Sequence, residues 1–231
     1  MGEGRQKPEG GFCFITVMAL TAAWWAYKRG FVRLLDFRVW LACHELVARR
    51  CGLEKGRLAH FRLEEVHALV GGVGGEHIRH AVSRLERAGL LDWSESRLRL
   101  TVSHEGLPVG DPSDLAEAIS LVTNNRRKVP VPRRLLRFMA ASSRPVLIAT
   151  VLGNLLRCVY YRKAKCEPDG LVKASWIASV FEVDERNVKA ARGERVRLGI
   201  LQCRKASQYV LNRWGLPTTV NLAWGGEALV K

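Results

Sequence analysis

RLEEVHALVGGVGGEHIRHAVSRLERAGLL, residues 62–91, carries the pattern from which the architecture follows. Ile78, Ala81, Val82, Leu85 and Ala88 recur three or four positions apart, which is one face of an amphipathic helix. That spacing predicts a helix over Glu76–Ala88, ended by Gly89. A shorter helix, Leu63–Val70, precedes it, and Gly71-Gly72-Val73-Gly74-Gly75 makes the turn between them. Leu90–Trp93 and Leu98–Val102 then read as a hairpin around Ser94-Glu95-Ser96. The pattern returns 110 positions later in KASWIASVFEVDERNVKAARGERVRLGIL, residues 173–201. One register aligns Ile78, Ala81, Gly89 and Leu90 with Val188, Ala191, Gly199 and Ile200, and Ala68, Val70 and Val73 with Ala178, Val180 and Val183. In this copy Lys173–Phe181 is the short helix and Asp184 caps the longer one, which runs to Leu198. Leu201–Arg204 and Tyr209–Asn212 flank a basic turn at Lys205-Ala206-Ser207, with a last strand at Thr219–Ala223.

Outward from the repeats, residues 1–11 are polar and glycine-rich and read as a disordered leader. The apolar run Phe12–Ala26 is too short for a bilayer, and its leader contains Glu3 and Glu9, unlike a signal peptide. It is expected to be a buried first helix, Thr16–Arg29, closed by Gly30. Asp36 is expected to cap the next helix, Phe37–Arg50. HEGLPVGDPSD, residues 104–114, breaks the composition, and Ser113 or Asp114 can cap a connecting helix to Val122. Pro132 suits a helix start, and Pro145 opens a long core helix to Tyr161. The division expected is a leader over 1–11, a first domain over 12–103, a linker over 104–125 and a basic second domain over 126–231, with separate cores.

A net charge of +15 points to a polyanionic partner, because clustered Lys and Arg gain free energy by releasing counterions from phosphates. The charge is lopsided. Residues 1–115 hold 16 Lys and Arg against 14 Asp and Glu, while residues 116–231 hold 21 against 8. Cys13, Cys43, Cys51, Cys158, Cys166 and Cys203 include no C-x-x-C pair, so they read as reduced, buried thiols and fit a cytoplasmic protein. The glycines around Val73 lack the Lys-Ser/Thr of a phosphate loop, and no triad or paired-carboxylate arrangement stands out. His77 and His80 lie three apart, but no third ligand follows. Neither enzymatic activity nor a cofactor or metal is expected.

The two quoted segments resemble the winged helix-turn-helix of bacterial transcriptional regulators. Two such units in one chain, with a basic helix before the second, are also similar to plasmid replication initiators and DNA-binding proteins of mobile elements. The resemblance implies a mainly α fold with small β wings (α+β), two winged helix-turn-helix domains in tandem. It further implies sequence-specific binding of double-stranded DNA, nucleoid association and a role in transcription, and leaves homodimerisation open. No membrane association is expected.

In such a unit the third helix enters the major groove. The base-reading positions would be Arg186, Asn187, Lys189, Ala190 and Arg192. Phosphates would be held by the basic run Arg126, Arg127, Lys128, Arg133, Arg134 and Arg137, by Lys173 and Ser175 on the short helix, and by Arg204 and Lys205 in the wing. His77, Arg79, His80 and Ser83 form a secondary face on the first copy, where Glu64 and Glu65 would repel DNA. Arg195 stands where the first copy has Leu85, and Gly193 where it has Ser83. An arginine at a core position is expected to snorkel outward or to meet DNA or a partner. A non-catalytic adaptor that binds protein through its winged helices is the alternative of another class. RNA binding is also open on phosphate chemistry, although exposed stacking aromatics are not evident in the sequence.

Overall fold

Alternating Phe12, Phe14 and Thr16 form an extended strand, β1 (Phe12–Thr16), and helix α1 (Val17–Lys28) follows it. In this computed structural model, which describes residues 8–50, 60–94, 97–100 and 127–226, α1 matches the expected helix Thr16–Arg29 within a residue at each end, and the apolar residues ahead of it, Phe12–Ile15, go to a sheet. The cause is a partner. β1 pairs antiparallel with β5 (Lys128–Pro132), Cys13 opposite Val131 and Ile15 opposite Val129. The Thr16 hydroxyl then accepts the Ala19 N–H at 3.1 Å and starts α1.

The first repeat consists of α2 (Leu34–Arg50), β2 (Phe61–Arg62), α3 (Leu63–Val70), α4 (Gly75–Arg87), β3 (Leu91–Ser94) and β4 (Arg97–Leu100). Its sheet has the order β2-β4-β3 and is antiparallel throughout. Ile78, Ala81, Val82 and Leu85 are buried, as their spacing requires. Asp36 departs from expectation. α2 starts at Leu34, so Asp36 lies inside the first turn, where its buried carboxylate accepts the Arg33 N–H at 2.7 Å and both arms of Arg84 at 2.7 and 2.8 Å. That bidentate pair ties α2 to α4, and the hydrogen bond to Asp36 raises the Arg84 pKa.

After β5 come α5 (Arg133–Ala141), α6 (Pro145–Cys158) and the hairpin β6 (Tyr160–Arg162) and β7 (Lys165–Glu167). The second repeat takes α6 as its first helix and continues with β8 (Asp169–Val172), α7 (Ala174–Phe181), α8 (Glu185–Arg197), β9 (Leu201–Cys203), α9 (Gln208–Arg213) and β10 (Leu216–Val220). Its sheet order, β8-β10-β9, has the same plan as the first repeat's: the first strand pairs with the last, and the last with the middle one. Gly153 permits α6 to meet α7, since a Cβ there would stand 2.6 Å from Ile177 Cγ1.

The expected strand Tyr209–Asn212 is helix α9, and the third strand is displaced to Leu216–Val220. Ser207 caps α9, and two pairs four residues apart support it: Gln208 with Asn212 at 2.7 Å, and Arg213 with the Tyr209 hydroxyl. The chain is thus a mixed α and β protein with small antiparallel sheets, nine helices and ten short strands among the described residues. No helix among them is long and apolar enough to cross a membrane.

One contiguous hydrophobic cluster runs through both repeats, where separate cores were expected. Two devices join them. The indole N–H groups of Trp24 and Trp25, on α1, donate to the carbonyls of Phe181 and Val180 at 2.9 and 3.0 Å, satisfying acceptors left open at the end of α7. Then Lys28 donates to the Glu182 carbonyl at 2.8 Å, and Arg29 pairs with the Glu182 carboxylate at 3.0 and 3.2 Å. The second device is α2 against α5. Arg38 donates to Val70 and Ala140 at 2.8 Å and to Ala141 at 3.2 Å, closing the ends of α3 and α5 together. Beside it Glu45 has no exposed surface and accepts Arg133, Arg137 and Arg49 at 3.0, 2.7 and 3.0 Å.

None of the five described cysteines is in a disulfide; Cys51 lies outside the described residues. Burial pushes the Cys158 thiol up to about 12 and raises Cys43 as well. Because the thiolate is the nucleophile, iodoacetamide at mildly alkaline pH is expected to label half-buried Cys203 while Cys43 and Cys158 stay unmodified until denaturant is added, as peptide mass spectrometry would read. The buried ion cluster predicts that Glu45→Ala lowers the unfolding free energy by about 3 kcal/mol, with the urea midpoint shifted and the slope unchanged.

Candidate nucleic-acid interface

Helix α8 is the longer helix of the second repeat, and its direction is set at its start. The turn before it passes through Glu182, a non-glycine residue at φ 44°, a left-handed conformation that costs free energy unless its surroundings impose it. Lys28 and Arg29 of α1 hold that residue by its carbonyl and its carboxylate. Asp184 then accepts the Asn187 N–H at 2.8 Å and caps α8.

From this start Val188 and Ala191 turn inward, while Arg186, Asn187, Lys189 and Ala190 are exposed together. Lys189 pairs with Glu185 at 2.7 Å, an exposed contact that binding can exchange at little cost. Among the described residues Arg186 has no such partner, and one helical turn beyond Ala190 the face continues through exposed Gly193 and Arg197. The middle of the face is therefore small, with cations around it, a shape that lets a backbone or base edge come close.

Arg192 does not belong to this face. It is 8% exposed and donates to the Val172 carbonyl at 3.2 Å, and burial lowers its pKa. Four residues after Val188, position 192 falls on the inward side of the helix, so the expectation of base contact is corrected. Arg195 also departs from expectation. It neither snorkels nor meets solvent. At 1% exposed, it lies with Cζ 4.5 Å from the centre of the Phe138 ring and pairs with Glu194 at 2.6 Å. Its Nε and Nη1 are buried without hydrogen-bond partners, as is Nε of Arg192.

The basic run also works inward. Arg127 donates to the Val159 carbonyl at 2.6 Å and to that of Leu156, and lies over the Tyr160 ring. Arg133 and Arg137 neutralise Glu45, and Arg134 reaches Glu9 and the Trp224 carbonyl, each at 3.1 Å. Each of the four thus has an internal partner while staying half-buried; a buried carboxylate and open carbonyls need cations, and the sequence could not place them. Only Lys128 is exposed, and Arg126 lies outside the described residues. In the turn between β9 and α9, Lys205 is exposed and Arg204 pairs with Asp169 at 3.0 Å. Ser175 is exposed at the start of α7, and Lys173 lines a cavity beside it.

On the first repeat His77, Arg79 and His80 are exposed along α4, and Ser83 is half-buried. Sequence reading missed a further group. Tyr209 and Trp214 are large exposed aromatics next to Arg213, in and just after the segment expected as a strand beside the basic turn. The interleaving of rings and cations in YVLNRW, residues 209–214, was the available signal.

Comparison with protein-family models, with curated proteins and with solved structures gave no match. Since Arg195 occupies a leucine-like core position with two unpartnered nitrogens, Arg195→Leu is expected to stabilise the chain by about 1–3 kcal/mol in urea titration. Destabilisation would show instead that its contacts with Phe138 and Glu194 outweigh its desolvation.

Proposed function

We propose that the chain is a sequence-specific double-stranded DNA-binding protein built from two winged helix-turn-helix units, acting in transcription. The observation that carries this reading is the exposed start of α8, where Arg186, Asn187 and Lys189 surround Ala190 on a helix fixed by its cap and by α1. Arginine suits the paired acceptors of guanine, and asparagine the donor and acceptor of adenine, both read in the major groove. The matching element order and sheet order of the two repeats support the assignment of both to the winged-helix plan.

Duties divide between the repeats on chemical grounds. At its tip α8 carries two carboxylates, Asp184, which caps the helix through the Asn187 N–H, and Glu185, which Lys189 engages, and the exposed cations lie beyond them along the helix. α4 instead follows a helix whose exposed Glu64 repels phosphate, while Glu65 is paired with Arg50 at 2.7 Å, so the first repeat contributes mainly support. Direct support comes from α1, which lies ahead of both repeats and holds the turn preceding α8 in place.

The test uses the full chain, because the two repeats share one core. With Arg186, Lys189, Arg197 and Lys205 as phosphate or base contacts, the logarithm of duplex affinity should fall against the logarithm of salt with a slope of about −3 to −4. Arg186→Glu with Lys189→Glu is expected to weaken duplex binding at least tenfold by rough estimate and to flatten the slope by about 2, with circular dichroism unchanged. A salt-independent affinity, or an unaltered one in the double variant, would sink the reading.

A further inference from the structure

The second repeat also carries a concave surface that the α8 face does not use. It is a cavity of about 640 Å³ walled by Arg157 at the end of α6, Tyr160 of β6, Lys173 and Trp176 at the start of α7, and Arg213 and Trp214 at the end of α9. Glycine lets these walls meet. A Cβ on Gly170 would stand 2.4 Å from the Arg157 carbonyl oxygen, and one on Gly215 would stand 2.5 Å from the Lys173 amide nitrogen. The hollow is therefore set by backbone close to backbone, not by the chance lie of long side chains.

Cations and aromatic faces alternate around it. Arg157 lies with Cζ 4.2 Å from the centre of the Trp176 ring, and Arg213 with Cζ 5.0 Å from that of Trp214. Trp214 nevertheless remains 53% exposed, and Tyr209, one turn back on α9, 62%. Among the described residues Lys173 has no acidic partner. Asp169, the carboxylate on the rim, is already engaged by Arg204 at 3.0 Å and by the Thr219 hydroxyl. Three cations thus face the cavity against one carboxylate whose charge is largely answered.

Such a wall asks for a ligand that is both flat and anionic. A simple anion would use the cations and leave the indole exposed, whereas an apolar ligand would strand the cations. Duplex DNA presents phosphates but keeps its base faces stacked inside. An unpaired nucleotide supplies both, and the volume falls within the roughly 300–1,000 Å³ of small-ligand sites. The geometry points to a site for one unpaired nucleotide of a single strand, its base stacked on Trp214 and its flanking phosphates held by Arg213, Arg157 and Lys173. The site deepens the nucleic-acid reading and rests on it for the class of ligand, but it uses no residue of the α8 face. Base face and phosphate are common to DNA and RNA, so the sugar is left to the test.

Binding of end-labelled oligo(dT), oligo(U) and a mixed-sequence duplex by the full chain, read as fluorescence anisotropy, tests the inference. Trp214→Ala, at a half-exposed position, is expected to weaken binding of at least one single strand by roughly 5- to 150-fold, the range spanned by one lost base–aromatic stack. Duplex affinity should stay unchanged, and Trp214→Phe should restore most of the loss. The strand that responds more strongly identifies the sugar. Arg213→Gln should flatten the salt dependence of single-strand binding by about 0.7 in slope. Single-strand affinity that is absent, indifferent to Trp214→Ala, or lost in parallel with duplex affinity would overturn the site. Single-strand binding that needs Trp214 in a chain that binds no duplex would uphold this site and overturn the reading of α8, so the two fail separately.

Discussion

A carboxylate with no exposed surface, Glu45, sits where α2 meets α5, and the arrangement of the chain follows from the need to answer its charge. An uncompensated carboxylate in an apolar core is several kcal/mol unfavourable by rough estimate, so cations must be brought to it. Arg133 and Arg137 come from 88 and 92 positions away along the chain, and Arg49 from the next turn of α2. Their arrival fixes α5 against α2. β5, which leads directly into α5, then pairs with β1 and draws the N-terminal strand against a segment from beyond the middle of the chain.

Open carbonyls at helix ends do similar work. Arg38 closes α3 and α5 at once, while Trp24 and Trp25 close α7 from a helix more than 150 positions distant in sequence. Each contact supplies a donor to acceptors that a helix leaves unsatisfied and that burial would otherwise make costly. In consequence the two repeats are one packed body. The turn ahead of α8 is clamped by α1, so the face that carries Arg186 and Asn187 is fixed by residues that lie outside its own repeat.

Net charge is therefore a poor map of an interface here. Much of the second half's excess of arginine is directed inward: Arg127 to carbonyls, Arg133 and Arg137 to Glu45, Arg192 to Val172 and Arg195 to Phe138. What remains outside is narrower and better defined. It includes the start of α8, the turn at Lys205, the β6–β7 hairpin with Arg162, Lys163 and Lys165, and the hollow where Trp214 and Trp176 stand among cations.

The repeated helices and their buried faces were legible in the sequence, because a period of three to four residues leaves one face apolar wherever the helix packs. Ile78, Ala81, Val188 and Ala191 are buried for that reason. The exposure of Arg186, Asn187 and Lys189 was legible too, as the complement of that face. Three things were not. Position 192, four residues after Val188, falls on the inward side, yet an arginine there has the chemistry of a base contact, and only the nearness of the Val172 carbonyl gives it an inward partner. Tyr209–Asn212 follows a basic turn as a hairpin's second strand would, yet pairs four residues apart and the cap at Ser207 make it helical. The run from Arg126 to Arg137 has the composition of a phosphate grip, and Glu45, remote in sequence, reassigns part of it to the core. Local periodicity thus fixed the repeated helices and which of their faces is apolar. The destination of each charge is a long-range matter, set by where unsatisfied acceptors end up once the helices have packed.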